Sequence, residues 1–315
     1  MADHWILMPF LNAPEMTWQA VEDGLNQSLP GVRVLLVDQG ASRADREDLD
    51  ARIDAREDHR VLCWHWLPAV PSLSAVWNRA LKFVWELGGT EALVVNNDVR
   101  LHRQTYEVLQ KTLASTQALF VTAVGVREGQ YDPTVTYDPV AGTDEGWLTL
   151  ISQRGGPDFS CFLLSRAGHE RYPFDESFRP AYMEDLDCHR RYMIGGDGGR
   201  IFSVNLPFLH YASGTIKQYS PEQRVKFNKQ YAANKEYYRA KWGGDVNDER
   251  FISPFGRDEP PNGAVCTATP DLQRLCLAGS RPGGGIPLGL DGARDVRNVD
   301  GVEHEADSGE TAPEP

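Results

Sequence analysis

Hydrophobic positions in this chain follow two alternating rhythms. Short apolar runs occur at residues 5–10, 32–37, 59–67 and 93–95, and between them apolar residues recur every three or four positions. A run too short for a helix and rich in β-branched side chains predicts a buried strand, whereas the wider spacing predicts a helix with one buried stripe. Residues 16–28 carry Met16, Ala20, Val21 and Leu25 at helical spacing before Pro30 and Gly31 stop the pattern. Strand, helix and strand with no hairpin signal between them predict a right-handed crossover and a parallel pair. Residues 43–57 alternate charged and small side chains, the pattern of a solvated helix. Residues 72–87 set Leu73, Val76, Trp77, Ala80, Leu81, Val84 and Trp85 on one stripe, with Asn78 beside it and Gly88 and Gly89 closing the helix.

The second half continues the alternation less regularly. A helix is predicted at 106–114 and a strand at 118–124, followed by loops or small antiparallel strands through 127–146. Then come a strand at 159–164, a helix at 183–193 and a strand at 201–209. A last helix begins at Ser220, Pro221 and Glu222 and carries Tyr237, Tyr238 and Trp242. Gly195, Gly196, Gly198 and Gly199 are clustered, but their order matches no phosphate-binding loop and precedes a strand, so they predict a turn.

Candidate chemistry sits where these runs stop. In open α/β sheets the ligand crevice lies outside the carboxyl ends of the strands. Asn96, Asn97 and Asp98 follow the 93–95 run there, where a carboxylate suits a hard cation or a polar ligand. The same three residues also suit a strand-ending Asx turn. Asp38 ends the second run, and the loop with Gly40 and Ser42 can approach a ligand closely. Asn78, polar beside an apolar stripe, more commonly serves as a satisfied core or capping group. Glu184 and Asp185 open the 183–193 helix, where its dipole favours acidic side chains whatever their role. His210 stands at the end of the 201–209 run.

Composition narrows the field. With 315 residues, 41% of them hydrophobic, the chain can bury a full core as one large domain or two small ones. A formal charge of -13 argues against a broad electropositive face for nucleic acid and agrees better with a cation site. The five cysteines, Cys63, Cys161, Cys188, Cys266 and Cys276, form no CxxC pair. Their odd number without a secretion signal suggests reduced thiols in the cytosol. No run of 18 or more apolar residues predicts a transmembrane segment, so a soluble, cytoplasmic protein is expected. From about residue 245 the chain turns rich in Gly, Pro, Asp and Glu. Residues 245–281 form an extension whose Phe251, Ile252, Phe255, Leu272, Leu275 and Leu277 can pack on the main domain, and residues 282–315 are expected to be a disordered acidic tail.

Taken in order, VLLVDQGAS, SLSAVWNRAL, ALVVNNDV, FDESFRPAYMEDLDCHRR, FLHYASGT and YYRAKWGG resemble the family 2 glycosyltransferases of the GT-A nucleotide-diphospho-sugar fold, over about residues 5–244. The resemblance implies an α/β, Rossmann-like domain over 1–244 with a mostly parallel sheet flanked by helices. It implies an inverting transferase, hexosyl or related, that moves a sugar from a nucleotide-diphosphate donor to an acceptor hydroxyl. In the family's pattern Asp38 contacts the nucleotide base, and Asn96, Asn97 and Asp98 fall on the DXD site for metal and diphosphate. Asp185 is then the catalytic base, Glu184 a positioning or acceptor-binding group, and His210 completes a site for Mn2+ or Mg2+. Gly40, Ser42 and Asn78 join the donor-binding set. The chain departs from the pattern at Asn96, which removes a charge that DXD would carry. Glycan, lipid-linked sugar, protein and modified nucleobase acceptors all remain open. Two other classes share the fold: a non-catalytic sugar-nucleotide-binding module, and a sugar-phosphate nucleotidyltransferase, whose Gly-rich basic signature is missing from MPFLNAPEM.

Overall fold

A computed structural model describes residues 4–65, 72–137, 148–150, 158–211 and 214–257. The expected tail at 282–315 and the part of the extension beyond residue 257 lie outside the described residues, as do residues 138–146 of the 127–146 region.

The first half follows the predicted alternation. Strand β1 (His4–Phe10) leads to α1 (Pro14–Leu25), β2 (Val32–Asp38), α2 (Arg43–Arg56), β3 (Val61–His65), α3 (Leu73–Glu86) and β4 (Glu91–Val95). Serines start several of these helices for a local reason. Ser42 and Ser72 each accept the backbone N–H three residues on, which satisfies one of the donors a helix leaves unpaired at its start. β5 (Val99–Arg100), α4 (Thr105–Thr116), β6 (Phe120–Val126), β7 (Leu148–Leu150) and β8 (Cys161–Ser165) follow. The chain then forms α5 (Arg166–Arg171), α6 (Glu184–Ile194), β9 (Ile201–His210), α7 (Gly214–Lys217) and α8 (Pro221–Trp242). Ser220 and Gln223 close a reciprocal capping box at the start of α8.

The strands make one sheet in the order β3-β2-β1-β4-β8-β6-β9-β5, with β7 also on β9. β1, β2, β3 and β4 are mutually parallel, and β8 runs antiparallel to both β4 and β6. Because β9 is parallel to β6, β6 and β9 point the same way as the first four strands, and only β5, β7 and β8 oppose them. The sheet is therefore mostly parallel, as expected, but its centre is crossed by one reversed strand that the apolar pattern did not distinguish.

Both faces are covered, and the period of two is plain in the packing. Ile6, Met8, Val34, Leu36, Leu93 and Val95 face a core shared with Ala20, Val21 and Leu25 of α1, Leu49 of α2 and Leu109 of α4. Their neighbours Trp5, Leu7, Leu35, Val37, Ala92 and Val94 face the other way, onto Val76, Trp77, Ala80, Leu81 and Val84 of α3 and Tyr192 of α6. A third cluster joins Phe178 and Met183 to Tyr238 and Trp242 of α8.

That third cluster surrounds a charged clamp. Lys241, 5% exposed, donates to Asp175 Oδ2 and Asp187 Oδ1, each at 2.6 Å. Asp187 also accepts from Trp242 Nε1 at 2.9 Å and Arg191 Nε at 2.8 Å, while Asp175 accepts from Tyr237 OH at 3.0 Å. The FDESF segment, the EDLD helix and the YYRAKW helix are thus tied through one ammonium group. Beyond α8 the chain folds back, with Arg190 Nη2 donating to Phe251 O at 2.7 Å and Tyr238 OH to Glu249.

Candidate active site

The carboxyl edge of the parallel strands collects side chains from four segments. Asp98 and His210 meet because β5 pairs antiparallel with β9, setting Val99 opposite His210, and Tyr211 N donates to Asp98 O at 3.0 Å. Asp98 Oδ1 lies 3.6 Å from His210 Nε2, and Asp98 Oδ2 accepts the Gly214 N–H at 2.9 Å. Gly214 suits that approach: a Cβ there would stand tightly, 3.1 Å from Asp98 Cβ and 3.0 Å from Met16 Sδ.

The reversed strand delivers a residue from its start to the same edge. Val95 at the end of β4 pairs with Cys161 at the beginning of β8, and Asn96 N donates to Ser160 O at 2.9 Å. Asp158, just upstream, accepts the Ser160 N–H on Oδ1. Its other oxygen lies against β6, where a Cβ on Gly125 would come within 2.6 Å of it. Asp158 was not among the residues singled out in the sequence. The rule that looks at the carboxyl ends of strands passes over a carboxylate that precedes one.

The fourth segment is the start of α6. Tyr182 and Met183, with φ of 77° and 78°, are both in the left-handed region that non-glycine residues seldom occupy. Two successive strained residues immediately before Glu184 and Asp185 are a backbone cost that packing must hold, a pattern concentrated at functional sites. Glu184 is 4% exposed, and its Oε2 has no hydrogen-bond partner among the described residues. Asp185 is half-buried and accepts the Leu186 N–H on Oδ1 at 2.8 Å.

The electrostatics link these groups. Burial pushes Asp98 up, but the His210 imidazole and the Gly214 N–H outweigh it and hold the carboxyl below its ordinary range. Burial pulls His210 down, but Asp98 and then Asp158 raise it above an ordinary imidazole. Asp185 is raised, by burial first and by the charges of Asp158 and Asp187 after the opposing Leu186 N–H. Glu184 is raised to about 8, by burial and then by Asp185 beside it.

Other predicted residues are engaged elsewhere. Asp38 is fully buried, its Oδ1 accepting from Gly40 N and Ala41 N at 2.7 Å each, its Oδ2 lying 3.3 Å from Arg46 Nη1 and 3.4 Å from His65 Nδ1. Gly40 turns there with φ of 113°, and Ser42 serves as the cap of α2. Asn97 donates to Asn12 O and Thr17 Oγ1, tying the end of β4 to the start of α1. Asn78 is not brought to this edge group. Its amide donates to Phe174 O and Glu176 Oε1 and accepts from Phe174 N and His169 Nε2, which uses all the bonds an amide side chain readily makes.

Asp98 and His210 suit a divalent cation that takes few protein ligands. One carboxylate oxygen and one imidazole nitrogen face each other, and the described residues contain no group of three His, Cys, Asp or Glu donors around them. Such a cation would be held mainly by a bound phosphate and water, the usual habit of Mg2+ at phosphate sites.

No protein-family model matches the chain, and no curated protein matches it in sequence. Solved structures do match in fold. GalNAc-T7 with UDP, GalNAc and Mn2+ superposes with a TM-score of 0.52 at 12% identity, over 78% of this chain and 53% of that one. The mannosyltransferase PcManGT from Pyrobaculum calidifontis, in complex with GDP-Man and Mn2+, gives 0.50 at 14% identity, over 74% of this chain and 70% of that one. S. aureus TarS 1-349 in complex with UDP gives 0.48 at 15% identity, and the match spans 65% of its length. The fold is that of the GT-A nucleotide-sugar transferases. No helix among the described residues is long and apolar enough to cross a membrane.

Proposed function

We propose that this chain is an inverting glycosyltransferase that moves a sugar from a nucleotide-diphosphate donor to an acceptor hydroxyl. The observation that carries this reading is the convergence of Asp98 with His210, Asp158, and the Glu184–Asp185 pair at one edge of a GT-A sheet. Asp185 takes the proton from the acceptor hydroxyl as that oxygen bonds to the anomeric carbon and the bond to the diphosphate breaks on the opposite face. General-base help of this kind is worth about 100-fold to 10,000-fold in rate. Glu184, raised by its burial, keeps its proton and positions the acceptor. Asp98 and His210 would hold Mn2+ or Mg2+, which would supply positive charge to the departing diphosphate. Asp38, with both oxygens engaged, shapes the Asp38–Ala41 turn that borders the nucleoside.

The structures similar in fold contain UDP or GDP-Man, which supports a nucleotide-sugar donor without selecting its base or sugar. The test is a thermal-shift screen of UDP-, GDP- and dTDP-sugars with and without Mn2+, followed by donor hydrolysis with the donor that binds. Asp185→Asn keeps the size and removes the basicity, so turnover should fall at least 100-fold while donor binding persists. The parent rate should rise with pH through the raised Asp185 value, because the base must be ionised. Near-normal turnover in the variant would overturn the role of Asp185. Donor binding without any turnover in the parent would favour a binding module, the reading to which the uncharged Asn96 lends support.

A further inference from the structure

The edge strand β3 and the helix α2 beside it carry a second group of ligating atoms, separate from the carboxyl-edge group. Cys63 and His65 are two apart on β3 and so project from the same face. Asp50 of α2 meets them there, and its carboxylate oxygen, the Cys63 Sγ and a His65 ring nitrogen all lie within 4.8 Å of one another. His65 Nε2 is 2.9 Å from Asp50 Oδ1 and 3.7 Å from Cys63 Sγ. Tetrahedral zinc at its usual bond lengths sets such edges at about 3.3 Å for N to O and about 3.6 Å for N to S, so small side-chain adjustments complete the shell.

The orientation of the imidazole is the second observation. Its other nitrogen, Nδ1, faces Asp38 Oδ2 at 3.4 Å, and Asp38 is fully buried and fixed by the Gly40 and Ala41 N–H groups. A histidine whose Nδ1 is turned to a fixed carboxylate while Nε2 faces a thiol and a second carboxylate has the carboxylate–histidine–metal geometry that orients metal-binding imidazoles. We propose that Asp50, Cys63 and His65 bind a zinc-class divalent cation, with Asp38 orienting His65. The thiol and imidazole favour zinc over manganese or magnesium, which prefer oxygen-rich sites. Three protein ligands leave the fourth position to water.

Binding forms the metal–sulfur bond and releases the thiol proton to solvent. The cation would also stiffen the Asp38–Ala41 turn. The proposal does not depend on the transferase reading.

Cobalt is the probe, because a Co2+–thiolate bond gives a charge-transfer absorption that oxygen and nitrogen ligands do not. The full-length, reduced, metal-free chain is titrated with Co2+, and Zn2+ is then added to displace it. One equivalent of Co2+ should produce the band, and Zn2+ should abolish it. Cys63→Ser should lose the band, and Asp50→Asn and His65→Ala should weaken binding at least tenfold, with circular dichroism confirming that each variant is folded. His210→Ala should retain the band, which separates this site from the carboxyl-edge group. Absence of the band in the parent overturns the proposal, leaving His65 as an ion-pair partner of Asp38 and Asp50. A band that survives Cys63→Ser also overturns it, by assigning the metal to another thiol.

Discussion

Replacing Lys241 with methionine should destabilise the protein severely, for reasons the clamp makes explicit. The substitution keeps the length and apolar bulk of the side chain and removes only the ammonium. Asp187, fully buried, and Asp175 each lose a charged donor at 2.6 Å. Removing one partner of a buried ion pair typically costs about 3–5 kcal/mol, because the remaining charge has been taken out of water without compensation. The carboxyl of Asp175 gives a separate measure. Burial would raise it, but the Lys241 ammonium and the Ser177 N–H override burial and hold it at about 2, against an ordinary 3.8. That difference corresponds to about 2 kcal/mol of stability from Asp175 alone. A depressed carboxyl stabilises the fold above its unfolded value and loses that contribution as pH falls, here between about 4 and 2. For a domain of this size the loss should lower Tm on the order of 10 °C at pH 7. In Lys241→Met the same burial now raises Asp175, so acid neutralises that carboxylate earlier and the gap between variant and parent should narrow. Urea unfolding at pH 7 and pH 4.5 reads both effects. A loss below about 1 kcal/mol at pH 7, or a gap that widens at acid pH, would refute the reasoning.

Two further outcomes follow from the site. In Asp98→Asn the titration of His210, followed by proton NMR of its ring, should fall, since Asp98 raises it against burial and only the charge of Asp158 is left to do so. Linkage sets the window: the raised imidazole stabilises below its unfolded value and is lost as pH rises, and the lowered Asp98 stabilises above its own and is lost as pH falls. The variant should therefore be penalised most between about pH 4 and 6.5, and an unmoved His210 titration would dissolve the pair. Asn78→Ala should cost about 2–4 kcal/mol, by leaving the buried His169 Nε2 and the Phe174 backbone short of partners, with nucleotide affinity unchanged. Calorimetry showing weakened donor binding at intact stability would instead return Asn78 to the donor site.

The parts of this molecule that were legible in its sequence are those governed by local periodicity. VRVLLV and EALVV could only be strands, and the stripe from Leu73 to Trp85 could only bury one helix face, so the alternating first half and its parallel pairing followed. The direction of β8 did not follow, because CFLLS is equally apolar whichever way it runs; its neighbours decide. That hid Asp158, which reaches the site only through the reversal. The short pairings of β5 escaped for another reason: two residues carry no rhythm, yet they set Asp98 beside His210. Ser42 and Asn78 show the converse. A polar side chain near a crevice looks the same in sequence whether it faces a ligand or a helix end, and here the backbone N–H groups and amides around them had already claimed it. FDESF and YYRAKWGG were visible as separate motifs, but the charge that joins them spans 66 residues from Asp175 to Lys241, beyond any local pattern.

The clamp also imposes an order in time. A chain is made from its amino end, and Trp242 is added 55 residues after Asp187. At roughly 5–20 residues per second, α6 exists for roughly 3–11 seconds, with Arg191 as the one cation already beside Asp187, before the Lys241 ammonium and the Trp242 indole have been synthesised. Through that interval the first turn of α6 carries Glu184, Asp185 and Asp187 with no ammonium to gather them, and nothing from α8 packs on Met183 or Phe178. The strained entry at Tyr182 and Met183 therefore has its full support only once the α8 segment has emerged and docked, so the acidic pair acquires its native setting late in the birth of the molecule.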